Sequence, residues 1–201
     1  SSKPYLYPEI RVNEFENKKK KNQMVVFGRI APNKFIENSI KIFSIGTKKF
    51  NDYKLIIMGG VTPETNTYKK KLIKLIEELR LNNRVEIFGD VSFDTLKNVL
   101  SESKVLIDSQ NKVSLTMTAI EAMAAGCVPL VSKESGNYLD IINEGEFGFS
   151  FESIEEGGKK LEKIIEKLDN GDINIKKIVR RSHDFNRETF RSNVMKILQE
   201  N

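Results

Sequence analysis

The 201-residue chain has one cysteine, Cys127, and one histidine, His183. A lone cysteine excludes an internal disulfide, and a lone histidine excludes a histidine-built metal cluster within the chain. No apolar run approaches the roughly 18 residues that a membrane-spanning helix needs. No signal peptide is legible, and the chain opens Ser1-Ser2-Lys3 without Met, as expected of a truncated or processed chain. Gly-x-Gly-x-x-Gly, Walker A and Asp-x-Asp motifs are missing, so a dinucleotide oxidoreductase, a P-loop NTPase and an Asp-x-Asp metal site lack support. What the chain does have is a net charge of +5 and a pI near 9.1. That balance suits nucleic acid, acidic lipid headgroups or a phosphorylated small molecule. Nucleic-acid binding asks for aromatics interleaved with a basic stripe, and here the lysines are scattered over helix surfaces, so no nucleic acid is expected. The one dense run, Lys18 to Lys21, reads as a solvated linker that also allows a peripheral membrane contact.

The length allows one good-sized domain, or one domain with an appendage. Residues 1–22 lack a period and carry Pro4 and Pro8, the composition of a linker. Short apolar runs then alternate with helical patterns. Strands are predicted at Gln23–Gly28, Lys54–Gly59, Arg84–Gly89, Lys104–Asp108, Val128–Val131 and Phe147–Phe151. Between them, Ile36, Ile40, Phe43 and Ile45 mark a helix within Phe35–Phe50, and Leu72, Leu75, Ile76 and Leu79 mark one over Glu64–Arg80, with Pro63 near its start. Ser92 to Ser101 reads as a short helix with cap candidates Ser92 and Asp94. Amphipathic helices follow at Ile154–Leu168, Ile173–His183 and Arg187–Leu198. The alternation predicts an α/β fold: a Rossmann-like, doubly wound parallel sheet of about six strands, with helices on both faces and C-terminal helices beyond. The expected organisation is a linker at 1–22, a Rossmann-like domain at 23–170 and C-terminal crossover helices at 171–201. Ligands of such sheets bind beyond the carboxyl ends of the strands, so the loops after Phe27, Met58, Phe88, Ile107 and Val131 are the informative ones.

The stretch Val113–Ser132 (VSLTMTAIEAMAAGCVPLVS) carries the most chemistry. Thr116 and Thr118 are cap candidates for a helix of small residues that Gly126 ends, with Cys127 a small core residue at the junction with the next strand. A helix start just after a strand is a natural anion site. Glu121, one turn in, is either a solvated side chain or an acceptor for neutral hydroxyls beside an anion. Gly28-Arg29-Ile30-Ala31-Pro32-Asn33-Lys34 follows the first strand; its two cations either close on a diphosphate or decorate a solvated loop.

The segment LTMTAIEAMAAGCVPLVSKESGNYLDIINEGEFGF resembles the nucleotide-sugar-binding segment of family 4 glycosyltransferases, retaining enzymes of the GT-B fold. The likeness is sharp at Glu121, Ala122, Met123, Ala124, Gly126, Pro129 and Gly136. It departs at the front: the first of the family's two glutamates falls on Val113, and two family glycines fall on Ser114 and Thr116. SHDFNRETF resembles the family's end segment, with His183 at a position usually held by tryptophan.

The resemblance implies roles residue by residue. Arg29 and Lys34 would be the catalytic cations that neutralise the donor diphosphate. Gly28 would lie beside them, and Gly89, after Phe88, would line the base pocket through main chain. Thr116, Met117 and Thr118 would sit against the diphosphate, Ser114 and Leu115 near the donor sugar, and Glu121 would bind the ribose hydroxyls. With valine at position 113, either the sugar is handled differently, or Asp108 or Lys112 substitutes, or the sugar is bound with weakened chemistry. No cofactor or metal is implied; the donor would be a UDP- or GDP-sugar. The expected whole is the donor-binding domain of a hexosyltransferase of glycan biosynthesis. It would be inactive without an N-terminal half that binds a glycan or lipid-linked acceptor, and would work in the cytoplasm or at the inner face of the membrane. A non-catalytic nucleotide-sugar-binding or interaction module is the alternative.

Overall fold

The computed structural model describes residues 10–112 and 115–199; Pro4, Pro8, Val113 and Ser114 lie outside them. The strands are β1 (Gln23–Phe27), β2 (Lys54–Met58), β3 (Val85–Phe88), β4 (Val105–Asp108), β5 (Val128–Ser132) and β6 (Phe149–Phe151). All pair in parallel, in the order β3-β2-β1-β4-β5-β6. β4 and β5 are buried throughout and β1 and β2 along their middles: Val25, Leu55, Val105 and Leu130 have no exposed surface. This is why their sequences run apolar without alternation.

The helices are α1 (Ile36–Gly46), α2 (Asn66–Glu78), α3 (Phe93–Glu102), α4 (Met117–Ala124), α5 (Ile154–Asp169), α6 (Ile175–Ser182) and α7 (Arg187–Gln199). The chain winds outward from β1 through α1 and α2 to β3, returns across the sheet through α3, and winds the other way from β4. Right-handed crossovers put α1 and α2 on one face and α3 and α4 on the other. Strand order reverses between β1 and β4, and a crevice opens there beyond the carboxyl ends of the strands.

Several local expectations change. The first helix stops at Gly46 rather than Phe50, and Phe35 stands outside it in a left-handed conformation. Pro63 opens a separate 3-10 turn, Pro63–Thr65, closed by a Thr62–Thr65 capping box before α2. Ser92 caps α3 by accepting from the Thr95 N–H, so the cap is Ser92 and not Asp94. A π-helical turn, Asn137–Ile141, and a 3-10 turn, Asn143–Gly145, fill the space between β5 and β6.

The segment ahead of β1 packs onto the domain. Ile10, Val12 and Phe15 are buried in the common core, and the Ile10 N–H donates to the Phe185 carbonyl at 3.2 Å. In the Lys18–Lys21 run, expected to be solvated, Lys18, Lys19 and Lys21 are exposed, while Lys20 is half-buried with fixed partners. Lys20 Nζ donates to the Ser101 carbonyl at 2.9 Å and the Ala125 carbonyl at 2.6 Å, and Lys21 Nζ meets Glu102 at 2.5 Å. The ends of α3 and α4 offer unpaired carbonyls and negative dipole, and the lysines supply the cations.

Candidate functional site

The crevice is built first by glycine. Gly28, just after β1, has φ +130°, and Gly59, just after β2, has φ +157°. A Cβ on Gly59 would fall 1.7 Å from the Gly28 carbonyl oxygen, so the two strand ends cross at a distance only glycine permits. The Gly28 N–H donates to Met58 and the Ile30 N–H to Gly60, each at 3.0 Å, locking the loop between them. Ile30 is buried, which leaves Arg29 at the surface, where it makes no ion pair with any other described residue. Pro32–Lys34 is a 3-10 turn, and Phe35, at φ 49° and ψ 39°, swings the chain into α1. Lys34 then reaches across to the end of β4, its Nζ donating to Gln110 Oε1 at 2.6 Å.

At the end of β4 lies a buried polar cluster that sequence reasoning missed. Asp108 Oδ1 accepts from the Gln110 N–H at 3.1 Å and from Gln110 Nε2 at 3.0 Å. Asp108 Oδ2 accepts from Thr116 Oγ1 at 3.2 Å and from Asn137 Nδ2 at 2.8 Å. Asn137, with no exposed surface, also accepts the Thr116 N–H at its Oδ1, 2.7 Å away. Burial holds the Asp108 carboxyl above the ordinary carboxylate range, opposed by these hydrogen bonds and by the nearby Lys34 charge. Asp108 therefore does not stand in for the carboxylate missing at Val113: both of its oxygens are taken. The other substitute, Lys112, is exposed, with φ 52° and its N–H bonded to the Glu134 carbonyl.

The same bonds correct the reading of Thr116. It is the N-cap of α4 by position, but its side chain makes no cap bond; the hydroxyl donates to Asp108 and accepts from Asn137 Nδ2 at 2.8 Å and from Thr118 Oγ1 at 2.9 Å. Its backbone N–H is held by Asn137, so the first-turn N–H groups left to an anion start at Met117 and Thr118. The remaining expected residues divide between two hollows. Gly28, Arg29, Lys34 and Thr118 line a narrow cleft of about 10 Å³ over Asp108, Ser109 and Gln110. Glu121 and Met117 line a separate hollow of about 260 Å³ with Ile10, Arg11, Phe15 and Phe93. α4 stands between the two, presenting Thr118 to one and Met117 to the other. Leu115 packs half-buried on the core, and Gly89 lines neither hollow. Burial alone raises the Glu121 carboxyl above its ordinary range. The second hollow escaped the sequence because Ile10, Arg11 and Phe15 belong to the segment read as linker.

The chain matches the family model for glycosyl transferases group 1 over residues 9–178. The GDP-Man:Man(3)GlcNAc(2)-PP-Dol alpha-1,2-mannosyltransferase of Mus musculus is 32% identical over 144 residues, covering 66% of this chain and 29% of that protein. The O-antigen chain mannosyltransferase of Salmonella typhimurium is 26% identical over 141 residues, covering 70% of this chain and 38% of that protein. The chain thus spans well under half the length of these curated relatives. Among solved structures, Anabaena HepE in complex with UDP and glucose superposes with a TM-score of 0.83 at 16% identity, over 98% of this chain and 56% of that one. The C-terminal domain of a group 1 glycosyl transferase from Francisella tularensis gives 0.69 at 21% identity, over 90% of this chain and 93% of that one. At such identities the structural likenesses speak for the fold. With its family model matched across most of its length, this chain belongs to the group 1 glycosyltransferases, and its sheet is one Rossmann-like half of their GT-B fold.

Proposed function

We propose that this domain holds the donor of a retaining hexosyltransferase, a nucleotide diphosphate sugar, and presents it to an acceptor bound by a second domain. One observation carries the reading: Arg29, Lys34 and the amino end of α4 meet at a single cleft where the strand order reverses. The cleft has room for about one water, so the diphosphate lies across its mouth rather than within it. Breaking the sugar–phosphate bond leaves the electron pair on a phosphate oxygen. Arg29, Lys34 and the first-turn N–H groups of α4 stabilise that new charge, the task a metal performs in other transferases. The adjoining hollow suits the nucleoside: Phe93 and Met117 offer apolar surface to a base, and the Glu121 carboxylate accepts from both ribose hydroxyls. The names of the relatives favour GDP-mannose as donor and a lipid-linked or glycan acceptor, and a lipid-linked acceptor would place the reaction at a membrane. No helix among the described residues is long and apolar enough to cross that membrane.

Calorimetric titration with GDP and UDP tests the donor site. Saturable binding of one of them is expected, insensitive to a chelator and weakened about 10-fold or more by Arg29→Ala, Lys34→Ala or Glu121→Ala. Equal affinity in all three variants overturns the assignment. Valine at position 113, where the family has a glutamate, favours a second reading, a nucleotide-sugar-binding module without turnover. In the protein that includes the acceptor-binding half, donor binding with no transfer of sugar to a lipid-linked acceptor would support that reading.

A further inference from the structure

We infer that Asp108, Gln110 and Asn137 form a buried positioning relay that aims Lys34 and fixes the amino end of α4. This deepens the donor-site reading and rests on it for its functional half.

Gln110 links the two sides. Its Nε2 faces the Asp108 carboxylate and its Oε1 faces the Lys34 ammonium, so neither neighbour tolerates the amide turned over. Asp108 therefore determines which end of Gln110 meets Lys34. On its other oxygen, Asp108 holds Asn137 Nδ2 and the Thr116 hydroxyl, and Asn137 in turn holds the Thr116 N–H. Four separate parts of the chain, the loop after β1, the end of β4, the start of α4 and the π-helical turn after β5, are thus set by one carboxylate. Asp108 is 5% exposed, Gln110 4% and Asn137 0%, so water does not replace a lost bond at little cost. None of the three contributes a free polar atom to the cleft; each acts through Lys34 or through the backbone at Thr116.

The chemistry dictates an unusual rescue. Asp108→Asn puts an amide N–H where two donors already point, on one side or the other. The exchange Asp108→Asn with Asn137→Asp keeps every contact and reverses donor and acceptor in the three side-chain bonds among positions 108, 116 and 137, including the 2.8 Å bond that Asn137 Nδ2 donates to Thr116 Oγ1 in the native chain. The new amide at 108 accepts from Gln110 at its oxygen and donates to the new carboxylate at 137. That carboxylate accepts the Thr116 N–H and the Thr116 hydroxyl.

Two readouts on the full chain test this. In the first, amine acylation of Lys34 is followed by mass spectrometry against the exposed Lys70 of the same molecule. Lys34 is expected to react slowly in the native chain, about 10-fold faster in Asp108→Asn, and slowly again in the exchanged pair. Equal Lys34 reactivity in the native chain and Asp108→Asn overturns the relay. Should Asp108→Asn fail to fold, Gln110→Leu, which leaves the bonds from Asp108 to Thr116 and Asn137 in place, is expected to show the same rise, and its absence is equally fatal. In the second, titration with GDP and UDP is expected to show affinity about 10- to 100-fold weaker in Asp108→Asn and restored in the exchanged pair. A folded Asp108→Asn that binds as the native chain does removes the functional role. If the native chain binds neither nucleotide, the donor-site reading falls while Lys34 reactivity still decides the relay.

Discussion

Glu121 shows how a candidate binding residue reads in isolation. Its carboxylate is drawn partly out of water, so burial raises its affinity for a proton. Unfolded, it titrates near an ordinary glutamate value of about 4.3. Between that value and its higher folded value, the native state binds more protons than the unfolded state, so the Glu121 contribution makes stability fall as pH rises through the window. Glu121→Gln removes the charge and with it this penalty. The variant is expected to melt at a higher temperature than the native chain at pH 7, with the difference vanishing below about pH 4, while binding nucleotide more weakly. A variant that melts lower at pH 7 would show that the carboxylate is stabilised by its surroundings. Cys127 is different in kind. Burial pushes its thiol up to about 11, and its Sγ lies 3.2 Å from the Leu100 carbonyl and 3.3 Å from that of Ser103, a small core residue as its place in the sequence suggests.

At the scale of elements, close packing sets what the helices tolerate. A Cβ on Gly46 would come within 2.7 Å of the Gly158 carbonyl oxygen and of Leu161 Cβ, so α1 and α5 touch backbone to backbone. Gly46→Ala is therefore expected to destabilise the chain by about 1–3 kcal/mol despite the better helix propensity of alanine, measured by urea unfolding. Gly89 is its control: a Cβ there meets nothing within 4 Å, and Gly89→Ala is expected to shift stability by no more than about 0.5 kcal/mol. The sequence disclosed those elements whose signal is local. Strands buried on both faces announce themselves as apolar runs, and Gly126, at φ +80°, ends α4 where its composition says it should. Asn137, Gln110 and the π-helical turn were not legible, because their meaning comes from Asp108, 29 residues before Asn137 and joined to it only by the fold. Arg29 and Lys34 were nominated by loop position and charge together with the family resemblance around Glu121, and the fold brings them to one cleft. Thr116 was misread as a side-chain cap because a hydroxyl at an N-cap ordinarily turns to the first-turn N–H groups; here a buried carboxylate competes and wins.

On the scale of the whole molecule, the C-terminal helices contribute unequally. Arg181 on α6 donates from Nε to the Ile141 carbonyl at 3.1 Å and from Nη2 to the Asp140 carbonyl at 2.7 Å, capping the π-helical turn that carries Asn137. Its guanidinium also lies 5.2 Å from the Phe147 ring and 4.9 Å from that of Phe185, and Ile178 and Phe185 are buried in the core. α7 buries none of its described residues, and Met195 and Leu198 stand 55% and 67% exposed. Ending the chain after Asn186 removes α7 and keeps the Phe185 carbonyl that accepts from Ile10. This truncation is expected to leave the melting temperature and nucleotide affinity nearly unchanged. Ending it after Asn174 also removes Arg181, Ile178 and Phe185, uncovers the underside of the site and frees the π-helical turn. The shorter chain is expected to melt at least several degrees lower, since each large buried side chain lost costs about 2–5 kcal/mol. Equal melting temperatures for the two truncations would mean that α6 and the 3-10 turn His183–Phe185 only rest on the domain, and that the π-helical turn keeps its shape without Arg181.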